Sequence, residues 1–208
     1  SIITFALTIQ DILNNPEITV GIMSFNRPTA KKFLGQIKRE FESNERLRAL
    51  FPDILWTKPH AEAPVWSMDE GIIVKRGSNP KEATIEAYGL VDSQPVSKHF
   101  QLIVYDDVVT RESVTNPETI EKTTTAWAES RALRTDGGVS RYTGTRWHHN
   151  DTYREILARG SAIERRYPAT DDGTEHGRSV LKSEEWLAEQ RRDMGVYVFG
   201  AQLLLNPT

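Results

Sequence analysis

The sequence predicts an α/β protein built on a largely parallel sheet. Segments of strand and helix length alternate along its 208 residues. Two of the strand segments, "ITVGIMSF" (18–25) and "QLIVYD" (101–106), are almost continuously apolar. Strands of that kind are covered on both faces, as in sheets whose crossovers are helices. At 38% hydrophobic with five Trp, the chain can bury a full core, enough for one domain with a small satellite.

Residues 2–13 carry Ile2, Ile3, Ala6, Leu7, Ile9 and Leu13 at helical spacing, stopped by "NNP". Residues 29–51 read as a helix on Phe33, Ile37 and Phe41. Three prolines make 52–70 an irregular connection. "GIIVKR" (71–76) and "TIEAYGLV" (84–91) form a hairpin-like pair of strands. Residues 116–133 are a helix, with Asn116 as N-cap and Pro117 in its first turn. Further strands are expected at 138–144 and 161–169, and further helices at 150–160 and 183–195, the last ended by Gly195. The chain opens directly in a helical pattern and closes on an apolar segment, so it reads as a fragment of a longer protein.

A net charge of −3 gives no global basic field for nucleic acid, although a local patch remains open. The absence of cysteine removes disulfides and thiolate metal sites and fits a reducing compartment. No apolar run approaches the ~18 residues of a membrane span, and no signal peptide is visible.

In parallel sheets ligands bind at the carboxyl ends of strands, and two such ends are informative. "LIVYDD" (102–107) runs four apolar residues into Asp106 and Asp107. This is the Walker B arrangement, in which one acid holds Mg²⁺ and the next orients and deprotonates a water attacking a phosphate. The plainer reading is a strand end with two solvated acids. At the second strand end, Thr143, Gly144, Thr145 and Arg146 follow "SRY". Gly144 permits close backbone approach, and the hydroxyls and guanidinium can sense a γ-phosphate. The plainer reading here is a Thr-rich turn with Arg146 in a surface ion pair.

"LIVYDDVVTRESV", then "TTAWAESRAL", then "GGVSRYTGTRWHHNDTY" together resemble the ATPase domain of the terminase large subunit of tailed bacteriophages. The likeness continues upstream through "GIMSFNRPTAKKFLGQIKREFESNERLRALFPDI" and downstream through "EEWLAEQRRDMGVYVFGAQLLLNP". It implies a P-loop NTPase of the ASCE type with a small lid. The core would be residues 1–146, the lid 147–195, and 196–208 the start of a linker towards a nuclease domain. It implies ATP and Mg²⁺, with Asp106 as magnesium acid, Asp107 as the water-activating acid, and Thr143, Gly144, Thr145 and Arg146 as the coupling motif, extended by Trp147. Double-stranded DNA, a portal protein, the small terminase subunit and a homo-oligomeric ring would be the partners. The setting would be the bacterial host cytoplasm at the procapsid portal, with no membrane.

The sequence departs from that family at three points. No G-x-x-x-x-G-K-[ST] is present. The opening "SIITFALTIQ" matches the helix after the P-loop, so the phosphate-binding loop would precede residue 1, with Ser1 at or beside the hydroxyl position on Mg²⁺. Asp107 stands where the family often has Glu. No arginine lies just before the Walker B strand, and Lys98, Arg76 and Arg111 are the nearest substitutes. These departures keep two rivals open: another ASCE motor resembling a superfamily 2 helicase, and a non-catalytic prophage remnant.

Other residues read most simply as structural. Within "WHHND", His149 and Asp151 match no metal-ligand spacing, and Asn150 or Asp151 serves as a helix cap. "DDGTEHG" (171–177) is a solvated loop rather than a calcium site. Arg165, Arg166, Arg191, Arg192 and Lys182 are candidates for DNA phosphate contacts. Trp56, Trp66, Trp127 and Trp186 are expected in packing.

Overall fold

The computed structural model describes residues 2–207. Helix α1 (Ile2–Asn14) leads into strand β1 (Val20–Ser24). Helices α2 (Arg27–Ser43) and α3 (Glu45–Leu50) replace the single helix expected over 29–51. Asn44 divides them: its backbone N–H closes α2 on the Glu40 carbonyl, and its side chain caps α3 by accepting from the Leu47 N–H. The 52–70 connection contains a single-turn helix α4 (Pro59–Glu62) and a two-residue strand β2 (Trp66–Ser67). Strand β3 is only Gly71–Ile72, shorter than the expected 71–76, and β4 is Ile85–Gly89. Gly71 has φ +95°, and a Cβ there would meet the Ile85 carbonyl oxygen at 2.3 Å, so only glycine fits this pairing. Strand β5 (Phe100–Asp106), helix α5 (Pro117–Ser130) and strand β6 (Arg134–Thr143) follow. Asn116 caps α5 as expected, accepting from the Thr119 N–H at 2.9 Å.

The six strands form one mixed sheet in the order β2-β3-β4-β1-β5-β6. Strands β4, β1, β5 and β6 are parallel, and β2 and β3 extend the sheet antiparallel. Helices flank it. Alternation sends Val20, Ile22, Leu102 and Val104 to one face, into a core with Ile9 and Ile12 of α1 and Leu34, Ile37 and Phe41 of α2. Tyr105 points to the other face. Its ring stacks on Tyr142 at 4.7 Å and its hydroxyl lies 2.8 Å from Ser130 Oγ at the end of α5.

The chain divides into two compact units. The first comprises 1–108 and 126–143 and holds the whole sheet. The second comprises 109–125 and 144–208, so the change of unit falls at Thr143/Gly144 and a segment after β5 goes with the later residues. The second unit contains helix α6 (Thr152–Ala158) and helix α7 (Glu184–Gln202). Its core gathers Leu187, Phe199 and Leu204 with Trp186 and Met194. Gly195 ends the first helical stretch of α7 as expected: at φ 71° and ψ 164° it is non-helical, and a second helical stretch follows it. The strand expected over 161–169 is absent. That stretch is irregular, with Ile163 and Tyr167 exposed, because two arginines and a proline leave it no continuous apolar face. Only an isolated bridge, Thr170 to Ser179, forms nearby. Among the described residues, no helix is long and apolar enough to cross a membrane.

Candidate functional site at the carboxyl edge of the sheet

The apolar run of β5 is threaded through the core, and its end delivers Asp106 to the sheet rim beside Thr143, its register partner on β6. Asp106 is 1% exposed. The Thr4 hydroxyl of α1 donates to its Oδ2, while its Oδ1 is buried with no hydrogen-bond partner. Burial lifts the Asp106 carboxyl above the ordinary aspartate value, the Thr4 bond pulls it back, and the Asp107 charge adds to the rise.

Asp107 turns away and reaches the surface. Its backbone is left-handed, with φ +49°, a conformation that costs an L-residue about 1 kcal/mol. Two backbone bonds hold it there. The Asp107 N–H donates to the Thr143 carbonyl at 3.0 Å, and the Phe25 N–H donates to the Asp107 carbonyl at 3.3 Å. Lost hydration raises the Asp107 carboxyl as well. Backbone strain of this kind gathers where a side chain must be aimed. The β5–β6 register and the Asp107 N–H bond bring Asp106, Asp107 and Thr143 together at this edge. Ser1 lies outside the described residues.

Gly144, Thr145 and Arg146 belong to the second unit. The space a Gly144 side chain would fill is taken by the Tyr153 hydroxyl, 1.9 Å from the Cβ position. The guanidinium of Arg146 is engaged: Nε donates to Asp151 at 3.0 Å and a terminal nitrogen to the His149 carbonyl at 3.3 Å. Asp151 is buried and caps α6 through the Arg154 N–H at 3.1 Å. The ion pair expected for Arg146 is thus present, but buried rather than at the surface. A cavity of about 570 Å³ in this unit is lined by Asn116, Pro117, Thr124 and the His148–Asp151 loop. Among the described residues, no group of three or more acids or histidines gathers to hold a metal.

Of the substitute cations, Lys98 and Arg76 sit at the amino edge of the sheet. Lys98 Nζ lies 2.8 Å from buried Glu86 at the start of β4, and Arg76 donates to the Glu82 carbonyl at 2.7 Å. Both are far along the strands from Asp106, since Glu86 opens β4 and Asp106 closes the parallel β5. Trp56 and Trp66 pack with satisfied ring N–H groups, donating to the Ile73 carbonyl and to Glu42, each at 2.7 Å.

Sequence reasoning missed Thr4 and Ser24. Helix α1 buries Thr4, Thr8, Ile9 and Ile12; of the apolar set read from its spacing, Ile9 is buried and Leu13 packs on the core, while Ile2, Ile3 and Leu7 are exposed. The inward face is polar at its start because it meets the sheet rim, where Asp106 lies. The available signal was Thr4, Thr8 and Ile12 at intervals of four. No protein-family model matches the chain, and no curated protein matches it.

Proposed function

We propose that the chain is the ATPase part of a terminase large subunit, an ASCE-type P-loop fold that hydrolyses ATP to drive double-stranded DNA into a procapsid. Asp106 carries this reading: a buried carboxylate at the carboxyl edge of a parallel sheet, fixed through one oxygen and with the other free to take a ligand. The order of motifs around it supports the same family. Oδ1 of Asp106 would hold Mg²⁺, which needs only one or two carboxylates beside water and phosphate oxygens. Bound there, the ion would neutralise phosphate charge. Asp107, aimed by its left-handed backbone, orients the attacking water and takes its proton. Its raised basicity favours that transfer. Arg146 acts as an organiser of the coupling loop through Asp151. The portal, the small subunit and a ring of copies are the partners this function requires.

The test is ATP turnover by the protein as its gene encodes it. Asp106→Ala and Asp107→Ala should each lower turnover by about 100-fold or more, with the circular dichroism of the folded state retained. Near-normal hydrolysis in both variants refutes the site. The residues encoded before Ser1 give a second test, since a glycine-rich loop ending in Gly-Lys is required for an active ATPase.

A further inference from the structure

Gly89, Ser24, Asp106 and Thr143 form a row across the carboxyl rim. Ser24 pairs with Gly89, Asp106 pairs with Thr143, and Met23 pairs with Tyr105, which places Ser24 beside Asp106 on the neighbouring strand. Alternation puts Ser24 on the face of Val20 and Ile22, and Asp106 on the face of Leu102 and Val104, which is the face α1 covers. Ser24 is 0% exposed, as are Thr4 and Thr8. Three oxygens here are buried without a hydrogen-bond partner: Ser24 Oγ, Thr8 Oγ1 and Asp106 Oδ1. Other buried polar atoms of the chain are unpaired too, but Ser24 Oγ and Asp106 Oδ1 belong to neighbouring strand ends at the carboxyl rim, where a ligand would supply the missing bonds.

We propose that Thr4 and Ser24 are positioning residues for the divalent ion. Thr4 clamps Asp106 Oδ2 and so presents Oδ1. Ser24 Oγ, on the strand end beside Asp106 and without a hydrogen-bond partner, bonds a water of the bound ion. Neither residue touches the ion itself. Groups that orient a ligand in this way change metal affinity by about 10- to 100-fold. The inference rests on the ATPase reading above. It adds that the hydroxyl ending β1 is part of the ion site, although nothing in the fold itself uses that hydroxyl.

The experiment measures Mn²⁺ binding by electron paramagnetic resonance, with ATP present, on the protein as its gene encodes it. Ser24→Ala should weaken Mn²⁺ about tenfold while thermal unfolding without ion is unchanged or raised. Thr4→Val should weaken Mn²⁺ similarly, and Thr4→Ser should restore affinity to within about twofold. Wild-type Mn²⁺ affinity in Ser24→Ala overturns the role of Ser24. So does a loss of ion-free stability large enough to account for the weaker binding. Equal weakening in Thr4→Val and Thr4→Ser overturns the clamp. A wild-type protein that binds no Mn²⁺ with ATP overturns the ATPase reading and this inference together, whereas normal wild-type binding with normal Ser24→Ala binding overturns this inference alone.

Discussion

The two rims of the sheet treat buried carboxylates in opposite ways. At the amino rim, Glu86 uses both oxygens: Oε1 accepts from the Ala83 N–H at 2.6 Å and from Lys98 at 2.8 Å, and Oε2 accepts from the Tyr88 hydroxyl. Glu82 accepts from the His99 N–H at 2.9 Å. Glu17 is held below the ordinary glutamate value, first by the Ser78 hydroxyl and then by the Gly77 and Ser78 N–H groups. At the carboxyl rim, Asp106 uses one oxygen, Ser24 uses none of its hydroxyl, and lost hydration holds both carboxyls above the ordinary value, although Asp107 reaches the surface. The acids of the amino rim are therefore paired by the protein itself, although Arg76 Nη1 at the same rim has no partner. At the carboxyl rim, Asp106 Oδ1 and Ser24 Oγ have no hydrogen-bond partner within the chain. Pairing, rather than burial or charge, separates Glu86 from Asp106.

That contrast makes predictions in order of size. Glu86→Ala should cost about 3 kcal/mol in urea unfolding, because it strips Lys98 and the Ala83 N–H of their partner in the interior. A neutral result would mean the amino rim is no more committed than the carboxyl rim. Asp151→Ala in the second unit removes both a cap and the Arg146 partner, and should cost about 2 kcal/mol by the same measurement. Asp106→Asn should go the other way, stabilising the ion-free protein by about 1 kcal/mol at neutral pH. With a folded-state value raised above the unfolded one, the folded protein binds more protons, so wild-type stability falls as pH climbs from the ordinary aspartate range through the raised value. The Asn variant lacks that fall, and an unfolding series across pH detects it. Asp107→Gly should relieve the left-handed backbone and gain about 0.5 kcal/mol while losing ATP turnover. A destabilised Asp107→Gly would place the aspartate among structural residues.

Much of the sheet was legible because apolar strand runs are local. "LIVYDD" announced both the buried strand and the acids at its end. Asn116 and Asp151 were legible as caps because capping is settled within three residues. The helix break at Asn44 and the irregular 161–169 were not. The first depends on one side chain serving two helices, and the second on whether any strand lies alongside to pair with. Lys98 looked like a candidate beside the Walker B strand. Its place just before β5 already put it at the start of that strand, and the fold adds that it is paired there with Glu86, a full strand length from the acids at the other end.

The sequence by itself determined the alternation of strands and helices, the parallel character of the sheet and the identity of the two acids, since each follows from the period and chemistry of short segments. Only the tertiary structure decided which polar groups are left unpaired. Whether Asp106, Ser24 and Glu86 find partners depends on residues tens of positions away, such as Thr4, 102 positions from Asp106. A hydroxyl in an apolar run looks the same before folding whether it will be bonded or left without a partner. The difference appears only when α1 and the neighbouring strands close over it.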